Sequence, residues 1–174
     1  TRYIGDWSSD VCSSDLYNTA GSAWEAWIVP VTDPLSVMAG YAVWSSTTNP
    51  AVGSVTRSYT GTLNTGDQMF ALTNAGDAFN FTGNPYPSAL DWEEADGWDK
   101  TALVTNTYYV WDPTSGAYAS YTVGSGGTNG ATELIAPQQG FFVEAASSAN
   151  LMVNNMARTH TGLAFLKDNS IMAD

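Results

Sequence analysis

The densest chemistry in the sequence is acidic: Asp91, Glu93, Glu94, Asp96 and Asp99 fall within one short run, DWEEADGWD. Carboxylates this close have two uses beyond folding. Together with loop carbonyls they supply the oxygen ligands, about six to eight, that a calcium ion takes. As a pair, here Asp91 with Glu93, they hydrolyse a glycoside when one acts as acid and the other as nucleophile or base. Against the first use, the run lacks the alternating ligands and closing glutamate of an EF-hand loop. Against the second, nothing beside the pair sets the separation that a sugar needs. A solvated helix face or turn accounts for the same charges, because Asp and Glu are exposed by default.

His160 is the only histidine, so a Ser-His-Asp triad has to use it and a zinc site has to be built mostly from carboxylates. No nucleophile elbow, HExxH or phosphate loop accompanies it. The sequence assigns His160 a structural role beside Arg158, whose planar fork suits a carboxylate partner. Aromatic rings are the other resource: Trp92, Trp98, Tyr108, Tyr109, Trp111, Tyr118 and Tyr121 cluster between positions 92 and 121. Flat rings stack on the apolar faces of sugars, and they also build cores and cross-strand ladders. Side chains alternate along a strand, so Tyr109 and Trp111 share one face of the 107–111 stretch while Tyr108 and Val110 share the other. One of these faces is predicted to be core. Trp98, Tyr109 and Trp111 are the candidate ligand contacts.

Composition narrows the partners. The formal charge is −12, and phosphate binding needs clustered Lys and Arg that this chain does not have. Nucleic acid and anionic membrane surfaces are therefore disfavoured. No stretch approaches the apolar length of a membrane span. The first sixteen residues, TRYIGDWSSDVCSSDL, lack both strand and helix periodicity, and they lack the apolar run and cleavage site of a secretory leader. They resemble an in-frame translation of an indexed sequencing-library adapter, residue for residue up to Leu16. Read so, residues 1–16 are a non-native segment, 17–167 a single domain, and 168–174 a tail or the start of a connection to a further domain. The natural chain is expected to be longer. Setting aside Arg2, Asp6, Asp10 and Asp15 takes the charge from −12 to −10, and Cys12, the only cysteine, leaves with them. Disulfides and thiolate chemistry leave too.

The elements that position these side chains follow from turn punctuation. Tyr17 to Val31 reads as an edge strand, interrupted at Pro30. Strands are predicted at 40–44, 79–83, 107–111, 117–123, 140–145 and 150–154, where aromatic and β-branched residues concentrate. A hairpin is predicted between 55–63 and 68–73, turning at Asn64-Thr65-Gly66-Asp67. In GNPYPSALDW the residue before each proline is held extended, and Pro85 or Pro87 is a candidate cis site. After Ser88 the run ALDWEEADGW predicts a short helix or helical turn near residues 88–97, stopping at Gly97. GSGGTNG, 124–130, reads as a flexible loop. PLSVMAGYAVW and ELIAPQQGFFVEA share a Gly, at 40 and 140, and a Val, at 43 and 143, which suggests a degenerate internal repeat. Regular turns with one short helical candidate predict an all-β fold, an antiparallel β-sandwich that is jelly-roll-like.

GNPYPSALDW, YYVWDPTSGAY and IAPQQGFFVEA, followed by ARTH, resemble a module of large secreted or surface proteins of Bacteroidetes, which commonly end in a type IX secretion sorting domain. GYAVW and TGTLNTGD fit as well, so the resemblance runs from about Pro34 to Lys167. It implies a secreted or cell-surface location and a multidomain parent, and it carries no catalytic residue over. The expected function is a non-catalytic extracellular module for adhesion, spacing or assembly. Its expected partners are other domains of the same polypeptide and glycans or surface proteins, with no cofactor or with calcium. The alternatives are a carbohydrate-binding module using exposed aromatics and a glycoside hydrolase fragment.

Overall fold

A computed structural model describes residues 12–26, 35–45, 61–112 and 114–160, and the statements below refer to these. In chain order the strands are β1 Cys12–Asn18, β2 Ala23–Ala26, β3 Ala42–Ser45, β4 Gln68–Ala71, β5 Phe79–Gly83, β6 Ala89–Asp91 and β7 Trp98–Asp99. They continue with β8 Thr107–Asp112, β9 Ala117–Thr122, β10 Gly126–Thr128, β11 Leu134–Ile135, β12 Gly140–Glu144, β13 Asn150–Val153 and β14 Arg158–Thr159. A single 3-10 turn spans Asn155–Ala157, with the Asn154 side chain accepting from the Met156 N–H at its start. The chain is all-β, and every strand pairing is antiparallel.

The central sheet runs β10-β9-β8-β12-β5, and three smaller sheets run β2-β1-β3, β11-β6-β14 and β4-β13-β7. In the central sheet β8, β9 and β10 form a meander and β12 returns to lie beside β8. That order is the Greek-key arrangement from which double-sheet folds are assembled. Alternation then divides its side chains. Tyr108, Val110, Ala119, Tyr121, Phe141 and Val143 are buried in one core with Leu90 after the corner, Ile135 of β11, and Leu151 and Val153 of β13. The sandwich is thus closed across that core by the two small sheets carrying β6 and β13.

Trp92 is the centre of the core. It is fully buried, its indole N–H donates to the Asn106 carbonyl at 3.0 Å, and Trp98, Tyr108 and Phe141 meet its ring at steep angles. Edge-to-face contacts of this kind add about 0.5–1.5 kcal/mol each beyond area burial. The corner GNPYPS is a polar staple for the same core. The buried Asn84 amide donates to the carbonyls of Ser88 at 2.8 Å and Ala136 at 3.0 Å, while its oxygen accepts the Tyr86 N–H at 2.9 Å. Tyr86, 1% exposed, sends its hydroxyl to the carbonyls of Val153 and Gly66. Neither proline follows a cis bond.

β5 has neighbours on both sides. Gly140 of β12 lies opposite Gly83, and on the outer side Ala39 bridges Thr82. Gly40 N–H donates to the Phe81 carbonyl, and Gly83 N–H and the Thr82 hydroxyl donate to that of Met38. The Phe81 ring lies across Gly40 and Gly140: a Cβ at Gly140 would stand 2.6 Å from it, and one at Gly40 would also collide with it.

Two expectations are corrected, and a third falls mostly outside the described residues. Residues 88–97 form no helix but β6 and a series of bends that lead into β7. The physical reason is local competition: the Asp91 carboxylate accepts the Glu93 N–H and the Glu94 carboxylate accepts the Asp96 N–H, turns that replace helical hydrogen bonds. Two tryptophans that must both enter the core draw the run in further. The loop 124–130 contains β10, paired with β9, where the Thr128 side chain ties to Ser120. β4 pairs with β13, and the strand expected at 55–63 lies mostly outside the described residues.

Candidate functional site

The sheet face opposite the core carries a cluster of six aromatics beside Thr107, Ser120, Thr122 and Glu144. Phe79 and Phe81 project from β5, Phe142 from β12, Tyr109 and Trp111 from β8 and Tyr118 from β9. Register places them together: Phe142 is opposite Tyr109 and Phe81, and Trp111 is opposite Tyr118. The β1–β2 hairpin lies over one end, with Tyr17 edge-on to Phe142 at 5.0 Å and Trp24 edge-on to Phe81 at 5.2 Å. Its tip is fastened below, where the Thr19 hydroxyl donates to the Phe79 carbonyl at 2.8 Å and Asp77 N–H donates to the Ser22 hydroxyl at 3.0 Å.

Beside this cover a cleft of about 420 Å³ opens between Tyr17, Asp77, Phe79, Tyr109, Tyr118 and Phe142. Its walls stand at steep angles: Tyr17 to Phe142 at 89°, Tyr118 to Phe142 at 83° and Phe79 to Tyr109 at 74°. Among the described lining residues the only carboxylate is Asp77. One of its oxygens accepts the Phe79 N–H at 3.1 Å, and the other accepts the Tyr17 hydroxyl. Burial and that bond push the Tyr17 phenol up to about 12, so it stays protonated and donating at neutral pH. Trp111 and Tyr118, 49% and 46% exposed, flank the cleft in a T-shaped pair.

The predicted contacts are therefore divided. Tyr109 and Trp111 share one face, and it is the outer one. Trp98 is not with them: it is 8% exposed, packs on Trp92 and donates its indole N–H to the Asp91 carbonyl at 2.8 Å. Its ring is part of the core because the bends before β7 turn it inward. Trp111 and Tyr118 meet at 74° rather than lying coplanar.

The acidic run does not converge. Among the described residues no three of His, Cys, Asp and Glu come together as a metal site. Asp91 and Glu94 hold the turns named above, and Asp99 accepts from the Thr101 N–H and hydroxyl, bonds that hold its carboxyl below the ordinary value. Glu93 reaches away to accept from the Gly124 N–H and the Tyr121 hydroxyl, which lowers its own titration. The same bond raises the Tyr121 phenol to about 12. Lys100, lowered by burial, donates to the Trp92 carbonyl and lies 4.7 Å from its ring centroid. Arg158 donates to Ser88 and Asn155 and covers the Tyr86 ring, and His160 is exposed just past β14.

Sequence reasoning missed Tyr17, Asp77, Phe79 and Phe142. Alternation within FFVEA separates Phe141 from Phe142, yet only the pairing register shows which of the two joins Tyr109. Fold and site together define an all-β antiparallel module with one aromatic face and a cleft in it. Compared with protein-family models, curated proteins and solved structures, the chain finds no match.

Proposed function

We propose that the chain is a non-catalytic binding module of an extracellular, multidomain protein, serving adhesion, spacing or assembly through its aromatic face. The observation that carries this reading is the cleft itself, walled by five rings and one carboxylate, which is the lining expected of a recognition site. The engagement of Asp91, Glu94 and Asp99 in local bonds, and of Glu93 with Gly124 and Tyr121, supports a module without a reactive centre. The likeness of GNPYPSALDW and IAPQQGFFVEA to modules of secreted Bacteroidetes proteins supports the extracellular setting. Among the described residues no helix is long and apolar enough to cross a membrane.

A glycan ligand is the second reading, favoured by the half-exposed rings of Trp111 and Tyr118 beside the cleft. A glycan array and a panel of glycoside and ester substrates test both. Binding lost in Trp111→Ala with no turnover is the expected result. Turnover that disappears in Asp91→Asn or Glu93→Gln overturns the non-catalytic reading.

A further inference from the structure

Resting on the reading of the aromatic face as a binding surface, we infer that its cleft takes an organic cation, a small free molecule with a quaternary ammonium head. Three features of the cleft point to this chemistry. First, three ring pairs of its lining, Tyr17 with Phe142, Tyr118 with Phe142 and Phe79 with Tyr109, stand at 89°, 83° and 74°, as in an aromatic box and unlike a stacking platform. A cation in such a box meets the negative π-faces of several rings at once, and quaternary ammonium groups are the ligands that such boxes recognise. Second, among the six described residues of the lining the only charged group is Asp77, and Lys, Arg and His are absent. The carboxylate is fixed by the Phe79 N–H and the Tyr17 hydroxyl, so it complements a cation without needing to move. Third, the volume of about 420 Å³ suits a small molecule, and the chain's charge of −12 draws cations toward it.

A sugar is the less suited occupant. It offers hydroxyls that need several polar partners, and the lining gives only the Asp77 carboxylate and the hydroxyls of Tyr17, Tyr109 and Tyr118. A methylated head group needs no hydrogen bond from the rings. It asks only for π-faces and one negative charge.

The test is calorimetric titration of the full chain with choline and with 3,3-dimethylbutan-1-ol, the neutral molecule of the same shape. Choline is expected to bind about tenfold more tightly, the ratio a desolvated cation–π contact gives. Asp77→Asn keeps the oxygen that accepts from Phe79; it is expected to weaken choline several-fold and leave the alcohol unchanged. Tyr118→Leu, at a half-exposed position, is expected to weaken choline without lowering the thermal midpoint, and Tyr17→Phe gives a second variant that keeps its ring. Equal binding of the two probes, or choline binding indifferent to Asp77→Asn, overturns the inference. Binding to phosphatidylcholine vesicles but not to free choline overturns the free-molecule assignment. If a glycan or neutral aromatic binds instead and Tyr118→Leu abolishes it, the cation inference fails while the binding-module reading stands. If no ligand responds to either cleft variant, both fail.

Discussion

Asn84 allows the polar staple at the GNPYPS corner to be tested quantitatively. Asn84→Ala removes the donated bonds to Ser88 and Ala136 and the accepted Tyr86 bond, at 2.8, 3.0 and 2.9 Å, with a longer contact to Ile135 at 3.4 Å, from a side chain that is 6% exposed. At about 1 kcal/mol net for each bond, and a similar amount for stranding the buried Tyr86 N–H, the loss is about 3–4 kcal/mol. For a domain of this size that lowers the thermal midpoint by roughly 10 °C. Asn84→Asp separates the donors from the shape. It keeps the acceptor for Tyr86 and turns an oxygen toward two carbonyls, so its carboxyl titrates in the folded state above the unfolded value of about 3.9. The folded protein then binds more protons than the unfolded one between those two values. The penalty is therefore complete at neutral pH and shrinks as pH falls through the folded value. Urea unfolding read by tryptophan fluorescence, with Trp92 and Trp98 as buried reporters, measures both variants against the parent at each pH. A cost below about 1 kcal/mol for Asn84→Ala, or a difference between Asn84→Asp and the parent that is flat from neutral to acid pH, refutes the reasoning.

Other perturbations follow from single contacts. Gly97→Ala places a methyl 2.6 Å from the Ala157 Cβ and close to its backbone, and it should cost about 1–3 kcal/mol as overpacking, seen as a lower urea midpoint. Asp15 carries a buried oxygen with no hydrogen-bond partner; Asp15→Val is expected to stabilise by about 1 kcal/mol, and an unchanged or lower midpoint contradicts the packing of β1. Glu93 titrates below its ordinary value of 4.5 because Gly124 and Tyr121 donate to it. A depressed carboxyl stabilises fully above the unfolded value and loses that contribution as pH falls through the folded one. Glu93→Gln should therefore flatten the stability profile on the acid side of about pH 4.5 and leave its slope near neutrality unchanged.

The strands of the central sheet were largely legible, because Tyr108-Tyr109-Val110-Trp111 and Phe141-Phe142-Val143 carry their own alternation. That Tyr109 and Trp111 share a face followed from the period alone, but their place on the outer face did not. It depends on which side the Trp92 cluster occupies, and Trp92 arrives through bends that no local periodicity encodes. In sequence the same bends read as a helix: Ser88 and Gly97 look like its two caps, yet the Ser88 hydroxyl accepts from Arg158, seventy residues on. Strand pairing over long separations hid the rest of the site. Asp77 reads as an ordinary turn residue until Tyr17 is laid against it, and the glycine-rich 124–130 run reads as slack chain until Thr128 meets Ser120.

The pair of glycines beneath Phe81 has a consequence for how copies of this module can associate. Because residues 38–40 already occupy the outer hydrogen-bonding side of β5, an incoming chain would have to evict them before it could extend the central sheet there. The other end of that sheet offers only the three residues of β10, too brief for a durable graft of foreign backbone. Growth of this sheet into a polymer by strand donation is thereby discouraged at both ends, and the broad ring-lined surface is left as the better place for lateral contact.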